Sequence, residues 1–176
     1  MLIKQPIMKK LFLLPIILTL FSCESVTNFK GLGGFDIDTK FRSLKTNEPF
    51  TKTMEDNYNI NSYKLSDEIG LVSDLNVTTK NDKIIEVRFL SNEKTNIAAI
   101  EKLCKEVLHT NKKNKIENEW GTVKGYHTFD KNIFFADIEY KNKKLTNGQF
   151  QHEYKYSNKE AIKQNHELIM KMNTSR

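Results

Sequence analysis

The stretch "LNVTTKNDKIIEVRF", residues 75 to 89, sets the fold class. Leu71, Leu75 and Val77 share one parity before its polar centre, and Ile85, Val87 and Phe89 share one parity after it, between Glu86 and Arg88. Alternation at period 2 marks a strand with one face buried. Two such runs about Lys80-Asn81-Asp82-Lys83 predict a β-hairpin, which obliges antiparallel pairing.

Downstream, "TNIAAIEKLCKEVLHTN" (95 to 111) predicts a helix. Ile97, Ile100, Leu103, Cys104, Val107 and Leu108 recur at helical spacing, with Lys102, Lys105 and Glu106 opposite and Thr95 or Asn92 as cap. Three strands follow, over 123 to 130, 132 to 145 and "GQFQHEYKYS". In the second, Phe134, Ala136, Ile138 and Tyr140 share a parity; in the third, Phe150, His152, Tyr154 and Tyr156 do. Asn147-Gly148 suits a type I′ turn between them. Ser157-Asn158-Lys159-Glu160 reads as a capping box opening a last helix with Ala161, Ile162, Leu168, Ile169 and Met172 inward. The expected architecture is therefore α+β: an antiparallel sheet of about five strands, in the order β-β-α-β-β-β-α, with two amphipathic helices packed on one face. No internal repeat is visible.

Upstream, "GLGGFDID" (31 to 38) lacks the spacing and flanking elements of a nucleotide loop and reads as a glycine turn. The polar stretch from Phe41 to Gly70 is long for a connection. Residues 36 to 65 are expected to cover one sheet face, anchored by Phe50, Tyr58 and Tyr63, or to leave that face open.

The chain's start is of a different kind. Met8-Lys9-Lys10 precedes an apolar run, Leu11 to Phe21, too short to span a bilayer and laid out like a secretory signal. Leu20-Phe21-Ser22-Cys23 resembles the lipobox of bacterial lipoproteins. That resemblance implies removal of residues 1 to 22, acylation of Cys23, and a tether over 23 to 35 ahead of a single domain over 36 to 176. Acyl chains at Cys23 would make the bilayer a partner. Glu24, where the family's inner-membrane retention signal is Asp, implies an outer-membrane address facing the periplasm.

Loss of residues 1 to 22 also alters the charge. The full chain carries +6, but Lys4, Lys9 and Lys10 leave with the leader, so 25 basic residues face 22 acidic ones. Only Arg42, Arg88 and Arg176 offer a guanidinium fork, which argues against nucleic acid as a partner. With Cys23 acylated, Cys104 has no disulfide partner and reads as a small buried hydrophobe on its helix.

Catalytic motifs are absent from the pattern. His109, His127, His152 and His166 are scattered without metal-ligand spacing, so no metal site and no cofactor are expected. Asp137 and Glu139 share a strand face that defaults to solvent. The candidate ligand or partner surface is Trp120, Tyr126 and Phe129, which form either a stacking platform or a junction plug. Ile84, Ile133 and Phe135, with Leu90, are expected to form an apolar set on the sheet's second face. The function expected is a membrane-anchored, non-enzymatic binding or accessory module of the cell envelope, with an envelope protein or small ligand as partner. The alternatives are a small envelope hydrolase using Asp137, Glu139, His127 and His152, or a structural subunit of an envelope complex.

Overall fold

A computed structural model describes residues 29–46, 48–91, 93–108, 115–128, 130–144 and 150–174, without the side chains of 94, 144 and 167–174. The signal segment, Cys23, His109, Phe129 and the Asn147-Gly148 turn lie outside the described residues.

The expectation of an α+β domain on about five strands is overturned: the chain is mostly β. A two-stranded hairpin, β1 (Gly31–Leu32) and β2 (Phe35–Asp36), precedes a short 3-10 turn at Phe41–Ser43. Then come β3 (Thr51–Met54), β4 (Asn57–Ser66), β5 (Gly70–Lys80), β6 (Lys83–Ser91), helix α1 (Lys94–Val107), β7 (Lys115–Glu117), β8 (Gly121–His127), β9 (Ile133–Lys144), β10 (Phe150–Asn158) and helix α2 (Lys159–Thr174). β3 to β10 form one antiparallel sheet of eight, in the order β3-β4-β5-β6-β10-β9-β8-β7. Each half is a four-strand meander followed by a helix, a repetition of element order without repetition of sequence. The halves join where β6 pairs with β10.

The expected hairpin is β5–β6. Asn81 (φ 51°) and Asp82 (φ 65°) both take the left-handed conformation that a type I′ turn requires. Two bulges then redirect its side chains. Asp74, at φ 50°, sits where the pairing with β6 shifts between Ser73 and Asn76. Val72 is therefore buried with Leu75 and Val77, while Leu71 is 58% exposed. A second shift, between Thr78 and Thr79, leaves Ile85 as the extra residue opposite them. Ile84 thereby joins Val77 and Val87 in the core, and Ile85 turns to the other face, the reverse of the expected assignment.

The core lies on one face. Val87 and Phe89 of β6 adjoin Tyr156 and Tyr154 of β10, and Tyr156 stacks on Phe135 of β9, with planes 3° apart. Ile100, Cys104 and Leu108 from the α1 segment cover one part of this face. Phe29, Leu32, Phe35 and Ile37 cover another, so residues 29 to 35 belong to the core rather than to a tether. Gly33 and Gly34, with φ of 61° and 85°, make the expected glycine turn, and a Cβ on Gly33 would lie 2.7 Å from Leu65. Tyr156 Oη fastens this hairpin, accepting from Leu32 N–H (3.1 Å) and donating to the Phe35 carbonyl (2.9 Å).

The two helices do not share a face. β10 runs on to Asn158, whose Oδ1 accepts from Ala161 N–H (3.1 Å), so Asn158 rather than Ser157 caps α2. Glu160 pairs with Lys80 instead of closing a capping box. α2 thus starts on the second face, where Ala161 is buried beside Ile85 and Asn165 donates to Glu86. Residues 36 to 65 do not lie across that face. They finish the hairpin over the core and supply β3 and β4.

Tyr156→Phe deprives two buried backbone groups of their partner, and it should cost about 1–3 kcal/mol, lowering the urea midpoint without altering the slope of the transition.

Candidate functional site

Two polar assemblies stand on opposite faces. The first is buried under α1. In β9 the inward parity is Ile133, Phe135, Asp137 and Glu139, whereas the sequence favours Phe134, Ala136, Ile138 and Tyr140. Pairing decides it. Asp137 lies opposite Tyr154 of β10 and Lys124 of β8, and Glu139 lies opposite His152, which itself faces Ser91 of β6.

His152 Nδ1 donates to Asp137 Oδ1 (2.8 Å), and its Nε2 is 3.5 Å from Glu139 Oε2. Lys124 Nζ bridges Asp137 (3.5 Å) and Glu101 of α1 (3.4 Å). Burial works against the charge on Lys124, but Asp137 and Glu101 outweigh it and hold its pKa above the ordinary lysine value. Burial, then the same two carboxylates, pushes the Cys104 thiol up to about 12 and Tyr154 upward as well. Ser91 Oγ is buried without a hydrogen-bond partner among the described residues.

A carboxylate–imidazole pair is acid–base machinery when it opens on a cleft. Here Asp137 is 3% and His152 6% exposed, and each is held by its neighbours. Of the four groups considered for hydrolysis, Asp137, Glu139 and His152 converge. His127 stands on the opposite face, paired with Phe134 and beside Ile162. The arrangement reads as a paired polar network whose reach to α1 is the half-exposed Lys124–Glu101 pair. Among the described residues no three His, Cys, Asp or Glu are grouped to hold a metal.

The expected ligand surface is dispersed. Trp120 is 63% exposed at the β7–β8 turn, where Asn118 Oδ1 accepts from the Trp120 and Gly121 N–H groups, so it plugs no junction. Tyr126 leans edge-on to Phe135 in the core. Ile84, Ile133 and Phe135 are core residues and cannot present a second-face patch.

The second assembly is on that second face. α2 and the sheet enclose a groove of about 630 Å³, within the range of small-ligand sites. It is lined by Thr53 and Met54 of β3, Asn57 of β4, Asn76 and Thr78 of β5, Ile85, Glu86 and Arg88 of β6, and Ala161, Gln164 and Asn165 of α2. The amides are oriented before any ligand arrives. Asn57 Oδ1 accepts from Thr78 Oγ1 (2.9 Å) while its Nδ2 donates to the Glu55 carbonyl (2.9 Å). Asn76 Nδ2 donates to the Asp74 carbonyl (2.7 Å), and its Oδ1 accepts from Asn59 (3.3 Å). Sequence reasoning passed over these residues, because polar positions on a solvated strand face carry no local signal.

No family model, curated protein or solved structure matches this chain. Among the described residues no helix is long and apolar enough to cross a membrane.

Two outcomes follow from the buried network. Asp137→Ala leaves the buried His152 ring without its acceptor and should cost about 1–3 kcal/mol in urea unfolding. In a Cys23→Ser chain, Cys104 should resist iodoacetamide at pH 8 until denaturant frees it. Because its folded pKa stands above the ordinary 9.0, its contribution to stability should be intact below pH 9 and fall away as pH climbs towards 12.

Proposed function

We propose that this chain is a lipid-anchored, non-enzymatic binding or accessory module of the cell envelope, held at Cys23 on the periplasmic side of the outer membrane. The observation that carries the binding role is the groove between α2 and the second sheet face. It joins size, pre-set amides and an exposed guanidinium in one place. The anchor rests on Leu20-Phe21-Ser22-Cys23 and its likeness to a lipobox. Two or more acyl chains hold a protein to a bilayer stably where one does not.

The burial of Asp137 and His152, and the distance of His127 from them, weigh against a hydrolase. A purely structural subunit would need no groove furnished with pre-oriented amides.

Mass spectrometry of the native protein should find its amino terminus at an acylated Cys23. Cys23→Ser should keep its leader and carry no acyl mass. A native chain recovered unmodified and freely soluble would refute the anchor. Cross-linking from the groove in intact cells should capture a ligand or partner, and an empty result from every groove position would refute the binding role.

A further inference from the structure

Arg88 stands on β6 and is exposed in the groove under α2. Its cross-strand neighbours are Lys155 on β10 and Asn76 on β5. Glu86 is the carboxylate that lines the groove, and it is already engaged: Lys155 Nζ lies 2.8 Å from its Oε2, and Asn165 Nδ2 donates to the same oxygen (3.2 Å). One carboxylate thus serves one of two adjacent cations. The exposed Arg88 side chain makes no hydrogen bond or salt bridge among the described residues, although its charge is felt at Tyr140, so its N–H donors remain available.

We propose, deepening the binding role above, that the groove takes a small organic carboxylate that also carries hydroxyl or amide groups. Arg88 receives the carboxylate through two parallel N–H donors, the geometry its planar fork matches. Asn57, Asn76 and Asn165 meet the neutral polar groups, since an amide retains lone-pair and N–H capacity after one bond at each end. Met54, Ile85 and Ala161 give the carbon skeleton an apolar wall. Charge selects the class. Lys155 is engaged by Glu86, which leaves the Arg88 fork to a carboxylate, whereas a phosphate dianion would also meet the Glu86 charge in the groove wall.

The test uses the full-length acylated protein in detergent, titrated calorimetrically with D-glucuronate and N-acetylglycine, and with D-glucose and inorganic phosphate as comparators. At least one carboxylate should bind saturably, about ten-fold or more tighter than glucose and tighter than phosphate, by the strength of charge-assisted hydrogen bonds. Arg88→Gln should lose about that factor with a melting temperature nearly unchanged, because the side chain has no hydrogen bond or salt bridge among the described residues to forfeit, and Arg88→Lys should restore it only in part. Binding of neither carboxylate, equal binding of glucose, preference for phosphate, or indifference to Arg88→Gln would overturn the assignment. A cross-linked partner that Arg88→Gln still captures in cells would leave the tethered module standing while this ligand class falls.

Discussion

The antiparallel seam between β6 and β10 is the constraint on which the molecule rests. It joins two meanders that are otherwise local and makes one continuous surface of them. Opposite Val87 and Phe89 stand Tyr156 and Tyr154, so the seam is also the centre of the aromatic core. The same register that places Tyr154 against Phe89 places His152 against Ser91 and Lys155 against Arg88. One pairing therefore sets the buried polar network on one face and the Arg88–Lys155 neighbours on the other. A one-residue slip would exchange the two faces of a strand.

The two faces handle polarity in opposite ways. Under α1, Asp137 and His152 are taken out of water and must satisfy each other, because a buried polar group without a partner is costly. Asp137 meets His152 and Lys124, and Lys124 reaches Glu101 on the helix. The firmer polar tie of α1 to the sheet is the buried Asn96, whose Nδ2 donates to the Leu71 carbonyl (2.7 Å). On the second face, polar groups stay half in water and are fixed by short local bonds such as Asn76 to the Asp74 carbonyl. A network satisfied internally has little left for a ligand, whereas pre-oriented amides keep unused capacity.

The sequence showed clearly what local physics decides. The β5–β6 hairpin, the amphipathic α1, the alternation of β10 and the glycine turn at 33–34 are legible because turn chemistry and periodicity act over a few residues. β3, β4 and β7 were hidden: these outer strands carry few buried residues, and β3 and β7 are exposed throughout. β9 defeated parity because Ile133 and Phe135 compete with Phe134, Ala136 and Ile138, and only its neighbours choose. The bulges at Asp74 and Ile85 exchanged faces within one hairpin, which alternation cannot foresee. The groove was the least legible feature. Asn57, Asn76, Arg88 and Asn165 come from three strands and a helix, and only pairing brings them together.

Phe29 is lodged edge-on against Phe135 and Tyr156. It sits by Asp130, Asn132 and Ile133, at the end of the sheet opposite Trp120. Five residues lie between it and Cys23, six backbone steps that reach about 20 Å at full stretch. Were Cys23 acylated as proposed, that reach would hold the Asn81 and Asn132 turns nearer the lipid headgroups than the indole of Trp120.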